Sequence, residues 1–173
     1  MANTLLAAKG YNVGASKIEA DKLDISREMI ERVGQGNCKF VFPDDLVVAD
    51  KFAADANTQT VPFDKVPADW MALDIGPATV KAWADVFAKA GTIIWNGPLG
   101  VYEMPAFAEG SNGVAKSMSE SKAKTIVGGG DAVAAVMQAG YGEKMTHLST
   151  GGGASLELLE GKKLPGIEIL QEK

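Results

Sequence analysis

The stretch TIVGGGDAVAAV, residues 125–136, constrains the fold most tightly. An apolar, β-branched run enters three glycines, then an aspartate, then Ala and Val at helical spacing. This predicts a strand, a tight turn and a helix with no spacer. Glycines let the backbone close on an anion, and the first turn of the new helix presents unpaired amides at the positive end of its dipole. The layout suits a phosphate. Asp131, just inside that helix, has two readings. As a structural residue it caps the helix, where a carboxylate is stabilising. As a functional residue it faces a divalent metal lying between it and a phosphate, because two anions in one turn repel.

The same junction recurs along the chain. MALDIGP ends a strand before a helix over 79–90 with Val80, Trp83, Val86 and Phe87 on one face; TIIW runs into NGPLG; THLS runs into TGGGAS and the helix ASLELLEG. A weaker helix over 106–118 carries Phe107, Val114 and Met118. Upstream, ANTLLAAKG reads as a short helix closed by Gly10, followed by a glycine-punctuated turn to Ser16. Residues 24–32 read as a surface helix whose stripe of Ile25, Met29, Ile30 and Val33 is buried. Residues 39–49 read as two strand-like runs interrupted at Pro43, and residues 51–65 as a surface loop. Strands alternating with helices predict an α/β, doubly wound, Rossmann-like domain with a parallel sheet and right-handed crossovers. In such a sheet the strand-to-helix loops, here 73–76, 96–100, 128–131 and 150–155, share the carboxyl edge where ligands bind. Two triple-glycine turns on one edge suit a nucleotide's phosphate tail.

Composition narrows the field. A length of 173 residues suits one domain, and 46% hydrophobic with 23% charged residues is ordinary for a folded chain. Seventeen basic against 22 acidic residues, with no basic block, argue against a nucleic-acid partner. Cys38 is the sole cysteine, which rules out an internal disulfide or a cysteine metal cluster and fits a reducing, cytoplasmic setting. Neither a membrane span nor a signal peptide is expected, since no apolar run approaches ~18 residues. No lysine-containing phosphate loop and no GxGxxG are present, so any nucleotide is held in another way. His147, inside a strand pattern, reads as a packed structural residue, and Trp70, Trp83 and Trp95 as core. Glu103 reads either as a solvated carboxylate or as an acceptor for a ribose hydroxyl.

At WNGPLGVYE, VGGGDA and HLSTGGGASLELLEGKKLPGIE the sequence resembles phosphoglycerate kinase, and the likeness runs from Met1 to the end. The resemblance implies the later part of that family's carboxyl-terminal, nucleotide-binding domain. It implies phosphoryl transfer in glycolysis between ATP and 3-phosphoglycerate with Mg2+, through positioning and charge stabilisation. On the matching positions, Ala72 and Leu73 would border the adenine, Asn96, Pro98 and Val101 would line the nucleotide cleft, and Glu103 would bond the ribose. Gly129, Gly130 and Asp131 would meet phosphates and Mg2+, with the amides of Gly129 and Gly152 facing the transferring group. Ala132 is a departure, since the family commonly has Thr or Ser there.

The family's amino-terminal, 3-phosphoglycerate-binding domain has no counterpart in these residues, so the chain reads as a partial domain of a two-domain kinase. Alone it is expected to be inactive toward 3-phosphoglycerate and to bind ADP or ATP weakly. The family is usually monomeric, but an exposed apolar sheet edge would favour self-association here. The alternatives are a non-catalytic nucleotide-binding module and a structural α/β fragment whose glycines only make tight connections. A dinucleotide oxidoreductase is remote without its fingerprint.

Overall fold

The computed structural model describes residues 1–170, which fall into two compact units: Met1–Trp83 with Leu99–Gly110, and the remaining residues. The chain is α/β, as the sequence implies, and each unit carries a sheet of its own kind.

The first unit opens with α1 (Ala2–Ala8) and α2 (Leu23–Gln35), followed by β1 (Asp45–Ala49), β2 (Thr58–Pro62) and β3 (Met71–Ile75). The strands pair in the order β2-β1-β3, and both pairings are antiparallel, which corrects the expectation of a wholly parallel sheet. The central strand β1 is a near-continuous apolar run with Leu46, Val48 and Ala49 buried. Strand β2 corrects the loop expected over 51–65. Its sequence TQTVP lacks an apolar face and is largely exposed, so its ladder with β1 sets its structure. The run KFVF does not form a strand, and only the half after Pro43 does. On α2 the expected buried stripe is covered only in part, since Ile25 and Met29 are 53% and 45% exposed while Ile30 and Val33 are half-buried. Periodicity marks an amphipathic face without saying what lies on it. Ala49, Leu73 and Phe107 form a buried cluster, with Met71, Val101 and Met104 against it.

Helix α3 (Pro77–Phe87) begins beside Asp45, whose carboxylate accepts the Ala78 and Thr79 amides at 3.1 and 2.8 Å. Its fully buried residue is Thr79, while Val86, placed on the apolar face by spacing, is exposed.

The second unit holds β4 (Thr92–Asn96), β5 (Lys124–Gly128) and β6 (His147–Ser149), parallel and in that order, the Rossmann-like part of the fold. Helices α4 (Glu109–Glu120) and α5 (Gly130–Gln138) connect the strands, and α6 (Gly152–Leu159) and α7 (Pro165–Glu168) follow β6. Trp95, Val127, Ala132, Ala135 and Val136 are buried. The Trp95 ring is core, as expected, and its indole N–H donates to the Gly97 carbonyl. Trp70 and Trp83 are only partly buried, and His147, expected to be packed, is exposed on β6.

Candidate functional site

The parallel register levels the strand ends. Asn96 pairs with Gly128, and Gly128 pairs with Ser149, so the loops after β4, β5 and β6 leave the sheet from one line. These are three of the four loops assigned to a carboxyl edge. The fourth, 73–76, ends β3 in the first unit, beside its antiparallel neighbour β1.

On that line Gly129 and Gly152 meet. A Cβ on Gly152 would lie 2.8 Å from the Gly129 Cα, 3.1 Å from its nitrogen and 3.4 Å from the Asn96 amide nitrogen. No real side chain fits there. Gly129 itself has φ +98°, which L side chains rarely adopt. The two helix openings therefore adjoin, each with a glycine at the cap and no side-chain capping bond, so the first-turn amides of α5 and α6 are not taken by a cap. This corrects the capping reading of Asp131, which sits exposed in the first turn of α5 behind the Gly129 cap.

The Gly129 amide, expected to face a phosphoryl group, donates instead to the Ser149 carbonyl at 2.8 Å. In this arrangement Gly129 is a spacer, and the amides without an acceptor inside the helix are those of the first turn, Gly130 to Ala132. Ser149 also receives the Gly151 amide on its hydroxyl at 3.3 Å, and Ser155 donates to the Gly151 carbonyl at 2.9 Å. Ser149 thus ties both glycine turns together, a role the sequence pattern did not signal. Asn96, Pro98 and Gly130 are exposed at the loops, while Ala132 is fully buried, its methyl part of the core.

The remaining predicted residues belong to the first unit. The Leu73 carbonyl accepts the Val101 amide at 3.0 Å, so β3 and the segment after NGPLG are stitched side by side. Ala72 is half-buried and donates its amide to the Ser16 hydroxyl at 2.9 Å. Glu103 is exposed, one step before Met104, whose amide returns to Val101.

Asp74, buried beside them, was missed as a functional candidate. Its one sequence signal was a charge inside the apolar run MALDI. Its carboxylate accepts the Ile75 amide at 2.8 Å and the Gly110 amide at 2.7 Å. Burial pushes the Asp74 carboxyl up to about 6, against those two hydrogen bonds, and the Glu109 charge adds to the push. The folded value lies above the ordinary 3.8, so between these values the native state holds a proton that the unfolded chain has released. The stabilising contribution is full below about pH 4 and is lost as pH rises through about 6. Relative to Asp74→Asn, the wild type is expected to lose about 3 kcal/mol of stability across that window. Parallel urea titrations at the two ends of the window check this.

The family model described as phosphoglycerate kinase matches residues 1–162. The phosphoglycerate kinase of Acidobacterium capsulatum is 54% identical over 175 residues, covering 100% of this chain and 43% of the relative. That of Pelotomaculum thermopropionicum is 50% identical over 173 residues, covering 100% of this chain and 44% of the relative. Among solved structures, the phosphoglycerate kinase of Coxiella burnetii superposes with a TM-score of 0.92 at 42% identity, over 97% of this chain and 44% of that one. The Pyrococcus horikoshii enzyme gives 0.81 at 27% identity, over 96% and 42%. The chain thus spans less than half the length of these relatives. With glycine-lined helix openings level on a parallel sheet and a family match over nearly all its residues, the chain belongs to the phosphoglycerate kinase family.

Proposed function

We propose that this chain carries the nucleotide-binding function of its family, the handling of ADP and ATP in phosphoryl transfer to and from 3-phosphoglycerate. The observation that carries this reading is the contact of Gly129 with Gly152, which puts two helix N-termini side by side. Their combined dipoles and first-turn amides favour a polyanion with no side chain in the way. In the second unit, the amides of Gly130, Asp131 and Ala132, with Gly152, are read as phosphate contacts, with Asn96 and Pro98 beside the nucleotide. Gly129 acts as the spacer that brings them close. In the first unit, Ala72, Leu73 and Val101 are read as an apolar surface for the adenine, and Glu103 as the acceptor for a ribose hydroxyl.

Asp131 fits a Mg2+ site of the kind shared with phosphates. It is an exposed carboxylate, and among the described residues no group of three His, Cys, Asp or Glu side chains stands ready as a complete cage. When bound, the ion would neutralise charge on the phosphate oxygens. The chain's own part in transfer is positional. Helix openings hold the phosphate tail, and backbone amides stabilise charge that develops on the moving group.

The glycine-rich loops contain no cation, and the sequence's two arginines, Arg27 and Arg32, lie on α2. The 173-residue chain is therefore expected to bind Mg-ADP weakly and to show no turnover of 3-phosphoglycerate. NMR titration with Mg-ADP alongside a coupled assay tests both points. Appreciable turnover contradicts the second, and absence of any shift at Gly130–Ala132 contradicts the binding reading.

A reducing, cytoplasmic location accords with the single, exposed Cys38, and no described helix is long and apolar enough to cross a membrane. Leu156, Leu158, Leu159, Ile167, Ile169 and Leu170 are between 44% and 79% exposed on the last elements of the chain. Such apolar exposure is expected to drive concentration-dependent self-association. Light scattering that shows a monomer at every concentration would count against it.

A further inference from the structure

We propose that Asp74 is the positioning residue for segment 100–110, its buried carboxylate anchoring both ends of the stretch that presents Val101 and Glu103 to the nucleoside. The assignment rests on the nucleotide reading above and adds a residue which that reading does not contain.

Geometry carries it. At the far end of the segment, the Gly110 amide donates to Asp74 Oδ2 at 2.7 Å. A Cβ on Gly110 would lie 2.2 Å from Asp74 Oδ1, so only glycine lets the backbone come this close. At the near end, a Cβ on Gly100 would lie 2.3 Å from the same oxygen. One carboxylate thus abuts the backbone at both ends, while the neighbouring Leu73 carbonyl holds the Val101 amide. Between these ends the chain turns through Val101–Met104 and Met104–Phe107 backbone bonds, and Phe107 is fully buried. Val101 and Glu103 are therefore presented by a short excursion whose two feet stand on Asp74. Of the two amides that this buried carboxylate accepts, Ile75 fixes its orientation and Gly110 ties the segment to it, a bond far harder to displace than an exposed ion pair.

The anchor is also sensitive to protons. The amides of Ile75 and Gly110 and the charge of Glu109 are the groups that act on Asp74. Opening the segment would return the carboxyl to solvent, where it titrates at its ordinary value. Closure is therefore favoured by protonation and weakens as pH rises through the Asp74 titration.

Amide hydrogen exchange and NMR titration on the full 173-residue chain test the assignment. In the wild type the Gly110 amide resonance should shift with a midpoint near that of the Asp74 carboxyl, and Glu109→Gln should lower this midpoint without disturbing the fold. Asp74→Ala should speed exchange of the Val101 and Gly110 amides by about tenfold or more, leave the Gly129 amide unchanged, and weaken Mg-ADP shifts at Val101. Uniform acceleration that includes Gly129 makes Asp74 merely structural and overturns the assignment. Unchanged protection at Val101 and Gly110 also overturns it. Should Asp74→Ala not fold, the same exchange comparison of Val101 and Gly110 against Gly129 in Asp74→Asn decides. Absence of Mg-ADP shifts at wild-type Val101 overturns the underlying nucleotide reading. Normal shifts with unchanged protection in Asp74→Ala overturn the Asp74 assignment alone.

Discussion

Asp45→Ala is expected to destabilise the protein by about 3 kcal/mol or more, the cost of stripping a buried, charge-assisted cap of its acceptor. The Asp45 carboxylate receives the amides of Ala78 and Thr79, and the Thr79 hydroxyl lies 2.7 Å from Oδ1. The same Thr79 oxygen accepts the amides of Asp44 and Asp45, each at 3.0 Å, so cap and capped residue hold each other. Asp45 and Thr79 are buried, and water cannot readily replace the lost oxygen atoms. Gly76 makes room for the arrangement, since a Cβ there would lie 2.2 Å from the Asp45 Cγ. Asp45→Asn keeps one acceptor and should recover part of the loss. Urea denaturation monitored by circular dichroism measures both variants. A cost for the alanine below about 1 kcal/mol would mean that the start of α3 is held by packing and not by this cap.

Asp45 also shows where sequence reading stops. Its partners lie more than thirty residues away, and nothing local in PDDLVVA marks one aspartate of the pair as a cap and its neighbour as a surface charge. Asp74 was invisible for the same reason, because Gly110 becomes its partner only through the return of segment 100–110. The adjoining helix openings were legible because glycine turns and helix starts are local chemistry, written in consecutive residues such as VGGGDA. What local chemistry did not encode was the use of each amide. The Gly129 N–H is consumed by Ser149, a pairing that depends on the β5–β6 register. Strand β2 was missed because TQTVP has no apolar alternation, and its state follows from the exposed edge of β1 that it covers. The parallel sheet was recovered where helices separate the strands. It was wrongly extended to β1–β3, where shorter connections permit antiparallel pairing.

Gly152→Val should weaken nucleotide binding by this chain at least about tenfold, whereas Gly153→Ala should retain it. The contrast isolates space from charge. Both glycines lie in the first turn of α6, both substitutions keep the backbone amide, and neither changes net charge. They differ in what a side chain meets. At Gly153 a Cβ finds nothing within 4 Å, but at Gly152 it lands 2.8 Å from the Gly129 Cα, a distance that side-chain rotation cannot relieve. The two turns must then separate, which strains the Gly129–Ser149 bond and moves the α5 amides away from those of α6. Overpacking of this kind costs roughly 1–3 kcal/mol in stability. The loss in affinity for Mg-ADP should be at least about tenfold, because a phosphate gripped by two helix openings would keep only one. Inorganic triphosphate should follow the same order, with wild type and Gly153→Ala alike and Gly152→Val reduced, since the effect resides in the anion and not in the base. If Gly152→Val folds and binds triphosphate as the wild type does, the adjoining glycines serve strand packing alone, and the phosphate tail of the nucleotide must be held by other residues.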